Sequence, residues 1–443
     1  WFYVDDANDA VRGERPPWRQ RFTRDVLRFD NNGWGINFIG HPLSGAAYYG
    51  FPRANGMSMP ASAFYAVGAS FLWEFVAELQ DKISLNDLIT TPLSGIALGE
   101  FFSRLARYLN SAPAGGNRVQ RAFGWTIGFS QALHDAMDDA PKLGEDIEVD
   151  NLGYDASIAH RFEWRGGAAV ARTNAAESFG LAEVIFDGRL VAIPGYLRPG
   201  RSVAFFGDAD VTRMRMRMSG GPDGRGFDME ADTILFGMHA QDVRLDGSGG
   251  HRGGAIIVGT SLGYQYRREA FDSYNDRIGT TRLPGLAVDI DTLLGRGALF
   301  LGGRLQADFA GIRAESFPAW QAAHPDERAK TILEREGYYY GFGLSSSLVV
   351  RFELPWLAVE GRLAHARYES KEGFDRDQES VTFDVAATDR ILEAELAIRV
   401  GLVPRKGVFL ELGATRRDRR SGVGEFELER RLETVYSRIG QVF

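Results

Sequence analysis

From Leu152 to Phe443 the chain alternates apolar and polar residues with a period of two, and this limits its fold more than any other feature. Between Ile391 and Leu402, Leu392, Ala394, Leu396, Ile398, Val400 and Leu402 fall on one face, and Glu393, Glu395 and Arg399 on the other. In an extended chain those faces point in opposite directions. The division recurs: Ile256, Val258, Leu262, Tyr264 and Tyr266 oppose Ser261, Gln265 and Arg267, and Leu299, Leu301, Leu305 and Phe309 oppose Arg304, Gln306 and Asp308. Leu357, Val359 and Leu363 oppose Glu360 and Arg362; Val408, Leu410 and Leu412 flank Glu411; Met214, Met216 and Met218 interleave with Arg213, Arg215 and Arg217. Such strands form antiparallel sheets with one apolar face, in a sandwich or a barrel.

Loop length separates the two. Counting back from the C-terminus, long connections (Arg416 to Phe426, Glu369 to Val385, Ile312 to Gly337, Ala270 to Leu283) alternate with short ones (Val403 to Gly407, Glu353 to Pro355, Leu294 to Gly297, Asp246 to Gly254). Short turns at one end and long loops at the other mark an outer-membrane barrel, here an up-and-down meander of roughly twelve strands over residues 151–443. An even count places both barrel termini on the short-turn, periplasmic side. The chain ends in Phe443, with Ile439 and Val435 on the same strand face, like the terminal aromatic signal that hands bacterial barrels to their assembly machinery; Gln441 and Ser437 depart from that pattern. A mean hydropathy of -0.22 excludes a polytopic helical membrane protein but not a barrel, whose strands alternate. Outer-membrane lipid is then the expected surrounding.

Residues 1–140 read differently, as a helical segment that is periplasmic, interfacial or a plug. Pro60 to Lys82 and Pro92 to Asn110 are expected helices, the second opening on Thr91-Pro92, an N-cap followed by proline at the first helical position. Phe64, Gly68, Phe71 and Phe75 recur at helical spacing. A third helix is expected over Asn117 to Asp139. The uncharged run Ala54 to Trp73 nears the length of a spanning helix, but Pro60 and its serines favour a buried or interfacial one. Pro42-Leu43-Ser44-Gly45-Ala46-Ala47 returns as Pro92-Leu93-Ser94-Gly95-Ile96-Ala97, which suggests two similar helix starts packed through small residues. A start at Trp1, with Asp5 and Asp6 close behind, suggests a cleaved leader.

Gly40-His41-Pro42-Leu43-Ser44-Gly45-Ala46-Ala47-Tyr48-Tyr49, Trp73-Glu74, Ser84-Leu85-Asn86-Asp87-Leu88-Ile89, Thr91-Pro92-Leu93-Ser94-Gly95 and Leu98-Gly99-Glu100 together resemble a domain-of-unknown-function family of bacterial envelope proteins. The resemblance covers the first ~110 residues closely and the barrel by pattern only. It implies a helical periplasmic or plug segment joined to an outer-membrane barrel, and it implies no activity or cofactor.

Candidate chemistry lies in two places. The first is the polar set His41, Glu74, Glu78, Asn86, Asp87 and Glu100, set in an otherwise apolar helical region where charges need partners. A lipid-modifying hydrolase could use Ser44 or Ser94 as nucleophile, His41 as base and a carboxylate such as Glu74 to orient it. Neither serine lies in a GxSxG elbow, and small residues are expected there anyway. A metal held by His41, Glu74 and Glu78 competes with plainer pairings: Glu78 with Lys82, Glu74 with Arg104 or Arg107, Asp87 in a capping box with Ser84, His41 as a helix cap. No HExxH, P-loop or dinucleotide fingerprint occurs, and neither metal nor cofactor is expected. Absent cysteine excludes thiolate sites and disulfides.

The second place is the lumen, with Arg304, Asp308, Glu360, Arg362, Glu393, Glu395, Arg399 and Glu411 facing inward. Mixed charge can line a selective pore or fill a closed interior. About twelve strands lie between the eight that fill with side chains and the sixteen that leave a channel, so a narrow or plugged interior is expected. With 51 basic and 59 acidic residues, nucleic acid is an unsuitable partner. The leading expectation is a non-enzymatic barrel that anchors the helical segment or joins other envelope proteins. The alternatives are a narrow channel or transporter and the hydrolase.

Overall fold

A computed structural model describes residues 19, 27–78, 83–111, 118–127, 129–138, 148–175, 177–247, 250–271, 274–329, 331–371, 385–403 and 406–443. After the two-residue strands β1 (Leu27–Arg28) and β2 (Ile83–Ser84), which pair in parallel, thirteen strands form one sheet. They are β3 (Ala159–Thr173), β4 (Ser178–Val191), β5 (Gly200–Phe206), β6 (Val211–Gly221), β7 (Gly224–Leu245), β8 (His251–Phe271) and β9 (Asn275–Gly295). β10 (Ala298–Arg313), β11 (Tyr338–Glu353), β12 (Leu357–Ser370), β13 (Ala387–Val403), β14 (Val408–Val423) and β15 (Phe426–Val442) follow. β15 pairs back onto β3, and β5 pairs only with β7, so the other twelve strands close the ring. Among the described residues, closure leaves this large sheet with a free edge only at the short β5.

Alternation sorts each strand as its sequence suggests. On β13, Leu392, Leu396, Ile398 and Val400 are exposed on the outside, whereas Asp389, Arg399 and, on β14, Glu411 are buried in the lumen. The barrel's two ends share one side: Phe443 N donates to Phe162 O (2.8 Å) next to the start of β3. The loop pattern is only partly as expected. The connection between β10 and β11 is long, and that between β12 and β13 spans 371–386, mostly outside the described residues. Two expected long loops are instead strand. β8 and β9 run on to Phe271 and from Asn275, and β14 and β15 meet in a hairpin at Gly424 and Glu425. The opposite end, expected to hold only short turns, carries β5 between β4 and β6.

The helical segment contains α1 (His41–Ala54), entered through a π-helical turn at Ile36–Gly40, and α2 (Met59–Leu72), followed by another at Trp73–Ala77. α3 (Leu85–Asn110), α4 (Arg118–Ile127) and α5 (Phe129–Met137) follow. α3 starts seven residues before Pro92, which lies inside it. The cap is Ser84, whose hydroxyl accepts from Asp87 N (3.3 Å), so the capping spacing outweighs the Thr91-Pro92 signal. The expected third helix is two, α4 and α5. The two PLSG segments do pack on each other: a Cβ on Gly45 would lie 1.7 Å from Thr91 O, and one on Gly95 2.3 Å from Gly45 C. Lys82, the expected partner of Glu78, lies outside the described residues.

The helices lie against the outside of the barrel. Ser94 Oγ meets Thr281 Oγ1 (2.8 Å), Thr233 Oγ1 donates to Ala97 O (3.3 Å), and Trp34 Nε1 donates to Gly311 O (3.1 Å). Phe101 meets Phe186 edge-on, and Phe38 fills a recess left by Gly279 and Gly311. Thr281, Thr233, Gly311, Phe186 and Gly279 all have the outward parity; their neighbours Thr280, Asp232, Ala310, Asp187 and Ile278 face the lumen. A plug would touch the lumen set, and the contacts described are with the other. α3 is covered along its whole length, sandwiched between the wall and α1 and α2.

Candidate functional site

The lumen is built by strand parity alone, because every second residue of twelve strands projects into one space. Glu411 accepts from Arg399 Nε (2.8 Å), Arg438 Nη1 (3.0 Å) and Arg165 Nη1 (3.3 Å). Arg399 also reaches Glu163 (3.2 Å) and Glu360 (3.4 Å), and Arg438 Nη2 donates to Glu183 (2.6 Å). Several pairs cross the lumen between distant strands: Arg362 with Asp187 (2.9 Å), Arg215 with Glu395 (2.9 Å), and Arg267 with Glu393 (3.0 Å). Arg304 joins Asp232 and Asp289, each at 2.7 Å, and Asp308 accepts from Ser345 Oγ (3.0 Å). All eight inward candidates therefore lie in the lumen. Among their partners, Glu163, Arg165, Asp187, Asp232, Asp289 and Arg438 were missed, although the same alternation in β3, β4, β7, β9 and β15 marks them.

This lattice leaves a cavity of about 100 Å³ beside Arg215, Arg282, Arg304 and Glu395, room for a few waters. A second cavity of about 210 Å³ lies toward the short-turn end, beside Arg161, Arg189, Asp291 and Arg351. At the long-loop end, Phe317 and Trp320 of α6 (Phe317–Ala323) and Leu333 of α7 (Thr331–Glu336) pack with Ile312, Tyr339 and Val423. At the other, Val191, Ile193, Tyr196, Val211 and Ile257 pack together.

The polar set of the helical segment splits in two. Glu100 is fully buried between α1 and α3, where it accepts from Arg53 Nη2 and Arg104 Nε, each at 2.7 Å, and from Tyr49. Both arginines continue to Asp208, after β5, and tie this level of the helices to the barrel. Arg104 is thus engaged here, and Glu74, expected to meet it or Arg107, instead accepts from Ser84 N (2.9 Å). Glu78 accepts from Trp73 Nε1 (2.9 Å).

The second group lies fourteen residues earlier on α3, roughly 20 Å away along the helix. Asn86 and Asp87 project there with His41 of α1 and Asp30, all but His41 deeply buried. Asp30 accepts from Asn37 Nδ2 and from Tyr340 of the barrel wall, each at 2.8 Å, while Asn86 accepts from Asp30 N (3.0 Å). Asp30, His41 and Asp87 each offer an atom within 4.8 Å of the others, a spacing a divalent cation could bridge. The buried Nε2 of His41 lies 3.3 Å from Asp87 Oδ1. The hydrolase arrangement is not assembled: Ser94 meets Thr281, and Ser44 is exposed.

Residues 26–128 match the model of a domain of unknown function, DUF3943. No curated protein matches the sequence. Among solved structures, the translocator domain of the autotransporter NalP from Neisseria meningitidis is 11% identical over 64% of this chain and 88% of its own, with a TM-score of 0.21. OmpT, an outer membrane protein of Vibrio cholerae, is 6% identical over 68% of this chain and 100% of its own, with a TM-score of 0.25. An outer membrane channel from Pseudomonas putida F1 is 13% identical over 65% and 95%, with a TM-score of 0.26. Likenesses this distant concern fold alone. The barrel assignment rests on the chain's own strand pairing.

Proposed function

We propose, for a chain whose residues 26–128 match DUF3943 and whose strands from Ala159 to Val442 close a twelve-stranded barrel of the outer-membrane type, that it is a non-conducting, non-enzymatic scaffold holding a helical layer on its outer wall. Both barrel termini lie on the periplasmic side in this reading. The observation that carries it is the lattice of arginine–carboxylate pairs across the lumen, with an apolar cluster over it at the long-loop end. A conducting pore needs a continuous water path and ligands an ion can leave. Here the inward charges bind one another.

Planar-bilayer recording tests this. The purified full chain should insert without discrete current steps at ordinary salt. Steady ohmic openings from the unsubstituted protein would replace the scaffold by the channel reading.

A further inference from the structure

We infer that the α1–α2 surface is a lipid-docking face: the helical layer is immersed in the hydrocarbon of the bilayer and replaces lipid along one side of the barrel. This goes beyond the scaffold reading and is independent of it, since a conducting lumen would leave the outer wall unchanged.

The first observation is depth. His41, at the start of α1, stands beside Asp87, and Arg53, near its end, pairs with Glu100 and Asp208. α2 returns between the same levels: Met59 N donates to Asp208 Oδ1 (2.6 Å) and Ser70 Oγ to Asp87 O (3.3 Å). Both helices therefore run along the wall at the height of the strands, and neither projects beyond an end.

The second is chemistry. From residue 41 to 77 the only Asp, Glu, Lys or Arg side chains are Arg53 and Glu74, and both are buried. The outward face of α2 and its π-helical turn carries Phe64, Tyr65, Val67, Phe71, Leu72, Trp73 and Val76, with Phe64 80% exposed. A contiguous apolar patch of this kind marks a protein or membrane contact on a soluble surface. In hydrocarbon it is the ordinary exterior.

The third is continuity. The wall's apolar belt runs over β11 to β15 and β3, with Leu344, Leu363, Leu396, Leu412 and Val435 exposed. It meets the helices at β4, where Val184 is exposed and Phe186 covered, and at β11, where Phe342 is exposed and Tyr340 covered. The face of α2 carries the belt across the gap. Among the described residues no helix is long and apolar enough to span alone, and α3 shows why it need not be. Its Asn86, Asp87, Glu100 and Arg104 are turned inward and bonded, as polar groups at membrane depth must be.

The chain has no cysteine, so single sites can be labelled directly. In vesicles of phosphatidylethanolamine and phosphatidylglycerol, nitroxides at Phe64→Cys, Val67→Cys and Phe71→Cys should be reached by oxygen and lose broadening by a water-soluble nickel chelate. They should then match Leu396→Cys on the barrel wall and differ from Arg244→Cys, an exposed site. Heat-modifiable migration confirms that each variant is folded. With the unsubstituted protein, a photoactivatable phospholipid in the same vesicles should form adducts within residues 59–77. Nickel access equal to that of Arg244→Cys would overturn the inference by placing the layer in water. Shielding from both reagents, without lipid adducts, would overturn it in favour of a protein partner or a second copy.

Discussion

Gly45→Leu should release the helical layer from the barrel while leaving the barrel closed. At Gly45 even a methyl group would lie 1.7 Å from the Thr91 carbonyl oxygen, and one on Gly95 of the facing helix would lie 2.3 Å from Gly45 C. Neither backbone can yield without parting α1 from α3, and α3 is held on its other side by the wall. Overpacking a core commonly costs about 1–3 kcal/mol, and a clash with backbone on both helices belongs at or above the upper end. The layer depends on this apposition and on the Glu100 network, so loss of both is the expected result. Proteolysis should then cut within residues 41–110, with the barrel's heat-modifiable shift retained. Protection equal to that of the unsubstituted chain would show that α1 and α3 are not in contact.

Glu411→Ala should give the largest loss in the barrel itself. Its carboxylate is shared by Arg165, Arg399 and Arg438, all buried. Breaking a buried pair by deleting one partner leaves charge uncompensated and costs about 3–5 kcal/mol. Here three guanidinium groups lose a common acceptor, although Glu163, Glu360 and Glu183 still reach them. The double change Glu411→Leu with Arg399→Met should cost less than the sum of its parts, because the pair leaves together. The midpoint of the folded-to-unfolded gel shift in urea measures both. Additive losses would mean the two side chains do not share one network.

The sequence carried the barrel further than its loops did. On β13 the outward Leu392, Leu396 and Ile398 against the inward Glu393, Glu395 and Arg399 fixed both faces correctly. The loop pattern was blurred where strands rise beyond the apolar belt and both faces become polar. Arg416, Asp418 and Arg420 on β14 are such residues; they pair along the outside with Glu429, Arg431 and each other. Period two is invisible there, and strand reads as loop. The start of α3 was misplaced because a proline tolerated inside a helix looks locally like its beginning. The position of the helices had a signal that went unread. Outward positions on β9 carry Arg277, Gly279 and Thr281, where β13 carries leucine and isoleucine. Glycine and hydroxyl groups on an otherwise lipid-facing wall indicate a protein cover. The split of the polar set could not be read in the same way, because it depends on how far apart residues 86 and 100 stand along a single unbroken helix.

Disulfide trapping between α3 and β9 tests the placement of the helices most directly. Ser94 meets Thr281 on the outer wall, and the adjacent Thr280 points into the lumen. In membranes, Ser94→Cys with Thr281→Cys should oxidise to a reducible cross-link, and Ser94→Cys with Thr280→Cys should remain free. A link at position 280 with none at 281 would put the helices inside the barrel and contradict the account.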